Sequence, residues 1–246
     1  METGAATKDV RLLRQTLAAW DFGEDPAVVA GRAAEAELGP GYDEAAAALG
    51  AAAEGKHLPR LRAALEGWGY AKDMAYKAGK AKEEELGPTY DRHSAVLKAM
   101  VSDLRIGSLR AALPDWLFAR DEAGYEAAVR VLEERATEYD SCKDALEQAA
   151  KELDLPGMRK GLADWPFSKQ EQAYVAAAAA EQRQGRAYDD AVAAWERAVE
   201  QKDVAAIRLL GEEWWYAPAA AVESARERER EWGPAYDADV AGLKEA

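Results

Sequence analysis

The stretch HLPRLRAALEGWGYAKDMAYKAGKAKEEELGPTYDRHSAVLKAMVSDL (residues 57–104) decides the fold, because its skeleton recurs five times along the chain. The skeleton consists of an arginine, a tryptophan six residues later, and a Tyr-Asp pair 22 or 23 residues after the tryptophan. Successive copies are 48 or 49 residues apart. A period of this length is typical of stacked helical arrays, in which each unit buries its apolar face against its neighbours.

The chain therefore divides into five sequence units, residues 8–56, 57–104, 105–153, 154–202 and 203–246. The repeated arginines are Arg14, Arg62, Arg110, Arg159 and Arg208. The repeated tryptophans are Trp20, Trp68, Trp116, Trp165 and Trp214, each followed after two residues by Phe22, Tyr70, Phe118, Phe167 or Tyr216. The Tyr-Asp pairs are Tyr42-Asp43, Tyr90-Asp91, Tyr139-Asp140, Tyr188-Asp189 and Tyr236-Asp237. We predict one all-α tandem repeat domain, a short α-solenoid or curved rod with about three helices per unit.

Local signals place a short helix around each arginine, for example over residues 58–66, with Asp9, Asp154 and Asp203 at N-cap positions. The other two predicted helices meet near the Tyr-Asp pair. Three units carry a Gly-Pro there, at residues 39–40, 87–88 and 233–234, which predicts a sharp break. The third and fourth units lack Gly-Pro and are one residue longer. We predict unbroken helices there, over about residues 121–153 and 170–201, and a different local path because one extra residue rotates a helix by about 100°.

The repeated side chains have two interpretations. The aromatic rows could form pockets for a peptide, a pigment or another flat ligand, or they could fill the gaps between adjacent units. The arginines could form a ladder for an acidic ligand, or each could pair with an aspartate of a neighbouring helix and orient the stack. We favour stacking for the tryptophans, tyrosines, arginines and aspartates, because residues shared by all units are those that make the units stack.

The C-terminal part departs from the pattern. Trp195 replaces a leucine, Trp215 adds an aromatic residue beside Trp214 and Tyr216, and Gly211 replaces another leucine. Tryptophan and tyrosine are enriched at binding hot spots. The sequence thus predicts a partner-binding patch of Trp195, Trp214, Trp215 and Tyr216, with a rearranged last interface between units as the alternative.

Charge and composition narrow the partners and the compartment. The net charge of −14 argues against nucleic acid and is compatible with a basic protein surface. Cys142 is the only cysteine, so no internal disulfide is possible and a reducing, intracellular location is expected. The organelle stays open, because a transit peptide could have been removed. The longest apolar run, residues 173–180, is too short to span a membrane.

The sequence offers little catalytic chemistry. His57 and His93 lie in different units, and we find no phosphate-binding loop, nucleophile elbow or zinc spacing. We therefore expect no catalytic, cofactor-binding or metal-binding residues. The predicted function is that of a non-enzymatic interaction scaffold, or a structural or linker subunit of a larger protein assembly. The alternative is a carrier that holds an aromatic, pigment-like or lipid-like small molecule between helices.

Overall fold

The computed structural model describes residues 7–245, and within that range the chain forms ten α-helices and no strand. Short and long helices alternate along the chain. The short helices are α1 (Val10–Ala18), α3 (Leu58–Glu66), α5 (Ile106–Ala112), α7 (Leu155–Ala163) and α9 (Val204–Glu213). The long helices are α2 (Pro26–Glu54), α4 (Met74–Ser102), α6 (Ala123–Glu152), α8 (Gln172–Glu200) and α10 (Ala220–Glu245). A 3-10 turn, Leu113–Asp115, follows α5. The all-α prediction is confirmed.

The chain packs as two compact bodies. The first contains residues 7–102 and 109–130, and the second contains residues 103–108 and 131–245. Each of the five short helices buries the apolar residue that precedes its repeated arginine. These residues, each no more than 2% exposed, are Leu13, Leu61, Leu109, Met158 and Ile207. None of the helices in residues 7–245 combines the length and the apolar character needed to cross a membrane.

Each sequence unit contains two helices instead of the predicted three. The sharp breaks expected at Gly-Pro are wrong, because Pro40, Pro88 and Pro234 all lie inside continuous long helices. The unbroken helices predicted for the third and fourth units are confirmed as Ala123–Glu152 and Gln172–Glu200. Continuity is therefore a property of all five long helices and does not distinguish the two central units.

The predicted change of path in the central units is also wrong, because the extra residue lies outside the helix. In all five units the repeated tyrosine comes 16 residues after the first residue of the long helix, as in Met74 to Tyr90 and Ala123 to Tyr139. What lengthens is the link from the tryptophan to that helix. A loop absorbs an insertion without rotating the side chains that follow, so the helical register of the units is the same.

The starts of the short helices follow the capping signals. Asp9, Asp154 and Asp203 accept hydrogen bonds from backbone N–H groups three residues ahead, at 2.9 to 3.0 Å. His57 serves as the cap of α3 through Nδ1, at 3.4 Å from the Arg60 nitrogen. The predicted aspartate caps are confirmed.

Candidate interaction surfaces

In four sequence units an arginine of the short helix is held by two carboxylates of the long helix that follows. Arg62 donates from Nη1 and Nη2 to the two Asp91 oxygens, at 2.6 and 2.9 Å, and from Nε to Glu83, at 3.1 Å. We call this arrangement the arginine bracket. The other three brackets are Arg14 with Asp43 and Glu35, Arg159 with Asp189 and Glu181, and Arg208 with Asp237 and Glu229. Arg110 and Asp140 of the third unit are also engaged in interactions.

The predicted Arg–Asp pairing is thus confirmed in four units, while the glutamate was missed. A signal for it exists, because a glutamate stands eight residues before the repeated aspartate in the same four units. The third unit has Leu132 there. The bracket hydrogen bond from Arg62 also holds the pKa of Asp91 below its usual range, and Arg159 does the same for Asp189. The aspartates are exposed, so the bracket contributes more to orientation than to stability.

The bracket explains the glycine that stands three residues before the repeated tyrosine. A Cβ on Gly87 would lie 2.9 Å from Arg62 Nη2, and one on Gly185 would lie 2.9 Å from Arg159 Nη2. The glycine therefore admits the guanidinium group and does not end the helix. The third unit, which lacks the bracket glutamate, carries Ala136 at this position.

Each bracket also places the arginine over the ring of the repeated tyrosine. The distances from the guanidinium carbon to the ring centroid are 5.8 to 5.9 Å for Arg14 over Tyr42, Arg62 over Tyr90, Arg159 over Tyr188 and Arg208 over Tyr236. Cation–π attraction at this range fixes the direction of the ring. The tyrosine is thus pre-positioned by its own unit.

The repeated tyrosine packs against the aromatic pair of the next sequence unit. The Tyr90 ring lies 6.1 Å from Trp116 and 5.1 Å from Phe118, edge to face in both cases. The same triad recurs as Tyr42 with Trp68 and Tyr70, Tyr139 with Trp165 and Phe167, and Tyr188 with Trp214 and Tyr216. We call each triad a joint. Each joint therefore brings aromatic residues of two consecutive sequence units into contact.

A backbone hydrogen bond accompanies each joint. The residue two positions before the start of each short helix has a left-handed backbone, with φ of 51 to 56°; these residues are Lys8, Lys56, Leu104, Leu153 and Lys202. Each of the first four carbonyls accepts from the N–H group three residues after the tryptophan of the corresponding joint, as from Ala71 to Lys8 at 3.3 Å and from Ala119 to Lys56 at 3.4 Å. Non-glycine residues adopt this conformation at a cost of about 1 kcal/mol or more. The joint bond therefore offsets local strain.

In two joints the tyrosine hydroxyl donates to a carboxylate that precedes the next long helix. Tyr42 donates to Asp73 at 2.5 Å, and Tyr139 donates to Glu171 at 2.9 Å. Burial, reinforced by the Asp73 carboxylate, raises the pKa of Tyr42 to about 12. The other Glu171 oxygen lies 3.4 Å from the nitrogen and the hydroxyl of Ser108. Glu171 is therefore both buried and hydrogen-bonded.

Glu122 occupies the equivalent position in the joint of Tyr90, with a poorer set of partners. Its side chain is 3% exposed, and neither carboxylate oxygen has a well-formed hydrogen bond among the described residues. His57 Nδ1 lies 3.7 Å from Oε1. Burial raises the pKa of Glu122, and weak hydrogen bonding from the Tyr90 hydroxyl, the charge of His57 and the Leu58 N–H oppose that rise without meeting the geometry of full hydrogen bonds. Burial, followed by the Glu122 carboxylate, also raises the pKa of Tyr90.

The four residues predicted as a partner-binding patch line one groove of about 200 Å³ in the second body, together with Leu210. We call it the C-terminal aromatic groove. Trp215 is 71% exposed, Trp214 is half-buried, and Tyr216 is buried in the last joint. Trp195 is 1% exposed and packs with Ile207, Val222 and Ala225. Trp195 and Tyr216 are therefore packing residues, and Trp215 is the most exposed of the four.

Gly211 makes room for the larger side chain at position 195. A Cβ on Gly211 would lie 3.6 Å from Trp195 Cη2, at ordinary contact distance, so position 211 faces the indole ring and leaves little space between them for a longer side chain. The leucine-to-tryptophan change is thus matched by a change on the facing helix. This favours the rearranged interface as the explanation of Trp195.

The remaining candidates for chemistry are dispersed. Within residues 7–245, no group of three or more His, Cys, Asp or Glu side chains is placed to hold a metal ion. His93 packs beside Trp116 and Phe118, and burial raises the pKa of Cys142. A groove of about 590 Å³ in the second body is open to solvent and is lined by Leu146, alanines of α8, Lys143 and Arg183.

Comparison of the chain with protein families, with curated proteins and with solved structures finds no match. The joints, the brackets and the grooves are therefore the basis on which a function can be argued.

Proposed function

We propose that the protein is a non-enzymatic interaction scaffold or structural subunit of a larger protein assembly. In this proposal the five sequence units stack as a short α-solenoid, and each joint fixes one unit on the next. The observation that supports it is the recurrence of one aromatic triad and one backbone bond at four successive boundaries. Arrays of this kind present extended surfaces and are used to bind other proteins.

The surface of the C-terminal aromatic groove is where we place the partner. Most of the side chains shared by the units are used in brackets and joints, whereas Trp215 has no counterpart among the aromatic residues of the other units. Among the described residues Trp215 is the most exposed tryptophan. An exposed tryptophan beside other aromatic rings is typical of a binding hot spot. The net charge of −14 favours a partner with a basic surface.

The alternative, a carrier of a small aromatic or lipid-like molecule, finds support in the open groove of about 590 Å³ between α6 and α8. Its floor of Leu146 and small alanines is apolar. Against it, the aromatic rows that would grip a flat ligand are filled by the tyrosine of the preceding unit. The scaffold therefore agrees better with the geometry.

Native mass spectrometry of the protein taken from its own source, with an absorbance scan, separates these functions. A complex that contains other polypeptides would support the scaffold and identify the partner. Masses that are multiples of 26.7 kDa would contain this chain alone and would identify no partner. An excess of a few hundred daltons with near-ultraviolet or visible absorbance would support the carrier.

A pair of matched variants then tests the groove. Trp215→Ala should weaken binding of the identified partner by more than about tenfold and leave the melting temperature unchanged. Leu117→Ala is the control, because Leu117 stands between Trp116 and Phe118 as Trp215 stands between Trp214 and Tyr216, and is likewise exposed. Equal binding by the two variants would place the partner elsewhere on the surface.

A further inference from the structure

One half of a joint is formed and open at the first sequence unit. Trp20 and Phe22 lie 5.5 Å apart at 72°, as Trp68 and Tyr70 lie 5.7 Å apart at 72°. Trp20 Nε1 donates to the Gly23 carbonyl at 3.2 Å, as Trp68 Nε1 donates to the Ala71 carbonyl at 3.0 Å. Yet Phe22 is 78% exposed, whereas its equivalents Phe118 and Phe167 are buried. We call Trp20, Phe22, Gly23 and Asp25 the open tryptophan face.

The complementary half is formed and open at the last two helices, α9 and α10, together with Lys202 just before α9. Tyr236 lies under Arg208 at 5.8 Å, and Arg208 is fixed by Asp237 and Glu229, as in the internal brackets. Lys202 has the left-handed backbone, with φ of 55°, that directs the other carbonyls at a joint. Leu243 is 79% exposed, while its equivalents Leu49, Leu97, Leu146 and Trp195 are all buried. We call Lys202, Tyr236 and Leu243 the open tyrosine face.

We propose that the open tyrosine face of one copy binds the open tryptophan face of a second copy, so that the two chains form a joint like those within the chain. The Tyr236 ring would pack on Trp20 and Phe22, and the Gly23 N–H would donate to the Lys202 carbonyl. Neither face needs to rearrange, because each already has the geometry of the filled joints.

The polar end of a joint is the carboxylate that faces the tyrosine hydroxyl, and the open tryptophan face has such a carboxylate in Asp25. Asp25 precedes α2 as Asp73 precedes α4, and both carboxylates accept from the backbone two residues ahead, Asp25 from Ala27 at 2.8 Å and Asp73 from Ala75 at 3.0 Å. Asp73 also accepts from the hydroxyl of Tyr42. Asp25 is therefore placed to accept from the hydroxyl of Tyr236 in the same way.

A second copy fits these faces because the ring and the hydroxyl of Tyr236 and the carbonyl of Lys202 each have a counterpart on the open tryptophan face. The contact joins two different surfaces, so it is heterologous, and repeated use of it would add copies one after another unless the assembly closes into a ring. This inference rests on the joints and not on the partner proposed for Trp215.

Net charge opposes the association. Two chains of charge −14 repel each other over a range set by the Debye length, which falls from about 30 Å to about 8 Å between 0.01 and 0.15 M salt. Added salt should therefore strengthen binding. A contact held by opposite charges would weaken instead.

The experiment is sedimentation velocity of the purified full chain at rising protein concentration, at about 0.01 M and at about 0.15 M salt. The sedimenting species of the wild type should grow from a single chain to complexes of two or more chains as the concentration rises. This growth should be larger at the higher salt concentration. Two variants each disable one face, Phe22→Asp and Leu243→Asp, and each should weaken self-association by more than about tenfold by placing a charge in an apolar contact. Both positions are highly exposed in the chain, so circular dichroism and the melting temperature should not change.

Mixing the two variants gives the sharpest test. Each retains the face that the other lacks, so an equimolar mixture should form a complex of two chains and nothing larger. The control Leu117→Asp changes another exposed apolar residue, which belongs to neither open face, and it should associate like the wild type.

Three results would overturn the proposal. The wild type could stay a single chain at every concentration and salt, which would mean that other molecules or other segments cover these faces. Only one of the two variants could lose association, which would indicate a symmetric contact through that face. The mixture could fail to form the two-chain complex, which would show that the two faces do not bind each other.

Discussion

The joints of Tyr90 and Tyr139 have the same rings and different polar ends. Both tyrosines meet a tryptophan and a phenylalanine of the next unit edge to face, within 5.1 to 6.1 Å. At Tyr139 the buried carboxylate of Glu171 is hydrogen-bonded to the hydroxyl and faces Ser108. At Tyr90 the equally buried Glu122 lacks well-formed hydrogen bonds among the described residues and has His57 at 3.7 Å.

The difference shows which part of a joint sets its geometry. The rings keep the same arrangement whether the carboxylate is satisfied or not, so apolar packing determines the contact. The carboxylate then changes the free energy of unfolding. A buried carboxylate stabilises the fold when it is fully hydrogen-bonded and destabilises it when it is not. The polar end is therefore the part of the joint that can vary.

The largest effect is expected from the rings that the two joints share. Trp116→Ala and Trp165→Ala should each lower the free energy of unfolding by about 3–5 kcal/mol, because each leaves a cavity in a buried cluster. Urea denaturation of both variants measures this. Trp20→Ala, in the open tryptophan face, is the control and should cost much less. A near-wild-type value for Trp116→Ala would mean that the rings do not determine the joint.

The polar ends should respond in opposite directions to the same substitution. Glu171→Gln should lower stability at pH 7 by about 1–3 kcal/mol, because it weakens a charge-assisted bond from Tyr139 and disturbs the contacts with Ser108. Glu122→Gln should leave stability unchanged or raise it, because it removes a poorly paired buried charge. Equal losses in both variants would contradict the distinction between the two joints.

The pH dependence of the Glu122 joint follows from the direction of its pKa. A carboxyl whose folded pKa is raised favours the folded state fully at pH values below its unfolded pKa, and that contribution is lost as the pH rises through the folded pKa. The wild type should therefore lose stability relative to Glu122→Gln as the pH rises above about 4.3. Urea midpoints of the two proteins between acid and neutral pH would reveal a constant difference if the carboxylate were well solvated.

The smallest effect is expected at the hydroxyls of the outer joints. Tyr42→Phe loses the bond to Asp73 and should cost about 0.5–1.5 kcal/mol, whereas Tyr188→Phe should be close to neutral because Ala219 stands where the carboxylate would be. The wild-type advantage over Tyr42→Phe should be complete below pH 10 and disappear as the pH rises through about 12. Melting temperatures in an alkaline series measure it, and a pH-independent gap would be the contrary result.

The sequence predicted the parts of the fold that depend on period and local chemistry. The all-helical class, the aspartate caps and the pairing of Arg62 with Asp91 follow from residues that recur in register. The predicted break at Gly87-Pro88 is wrong, because the glycine makes room for the Arg62 guanidinium group and does not end the helix. A helix held by a bracket and a joint tolerates an exposed proline. The position of the inserted residue was also misjudged, since tryptophan-to-tyrosine spacing does not reveal which segment lengthens.

The sequence identified the aromatic residues of the candidate surface, but it did not show which of them are exposed. Trp195, Trp214 and Trp215 are chemically alike, and only the packing of α8, α9 and α10 separates the buried ring from the exposed one. Exposure depends on the phase of each side chain relative to its neighbours. A single sequence gives that phase for long helices better than for the short link that carries Trp214 and Trp215.

The joint contacts also have a consequence for the synthesis of the chain. The partners in each joint, such as Lys8 with Ala71 or Tyr139 with Glu171, are fewer than 70 residues apart. Such contacts can form as soon as both partners have been synthesised, because they need no segment from further along the chain. Each unit can therefore settle against its predecessor as it leaves the ribosome, so that little apolar surface is exposed at any moment of translation.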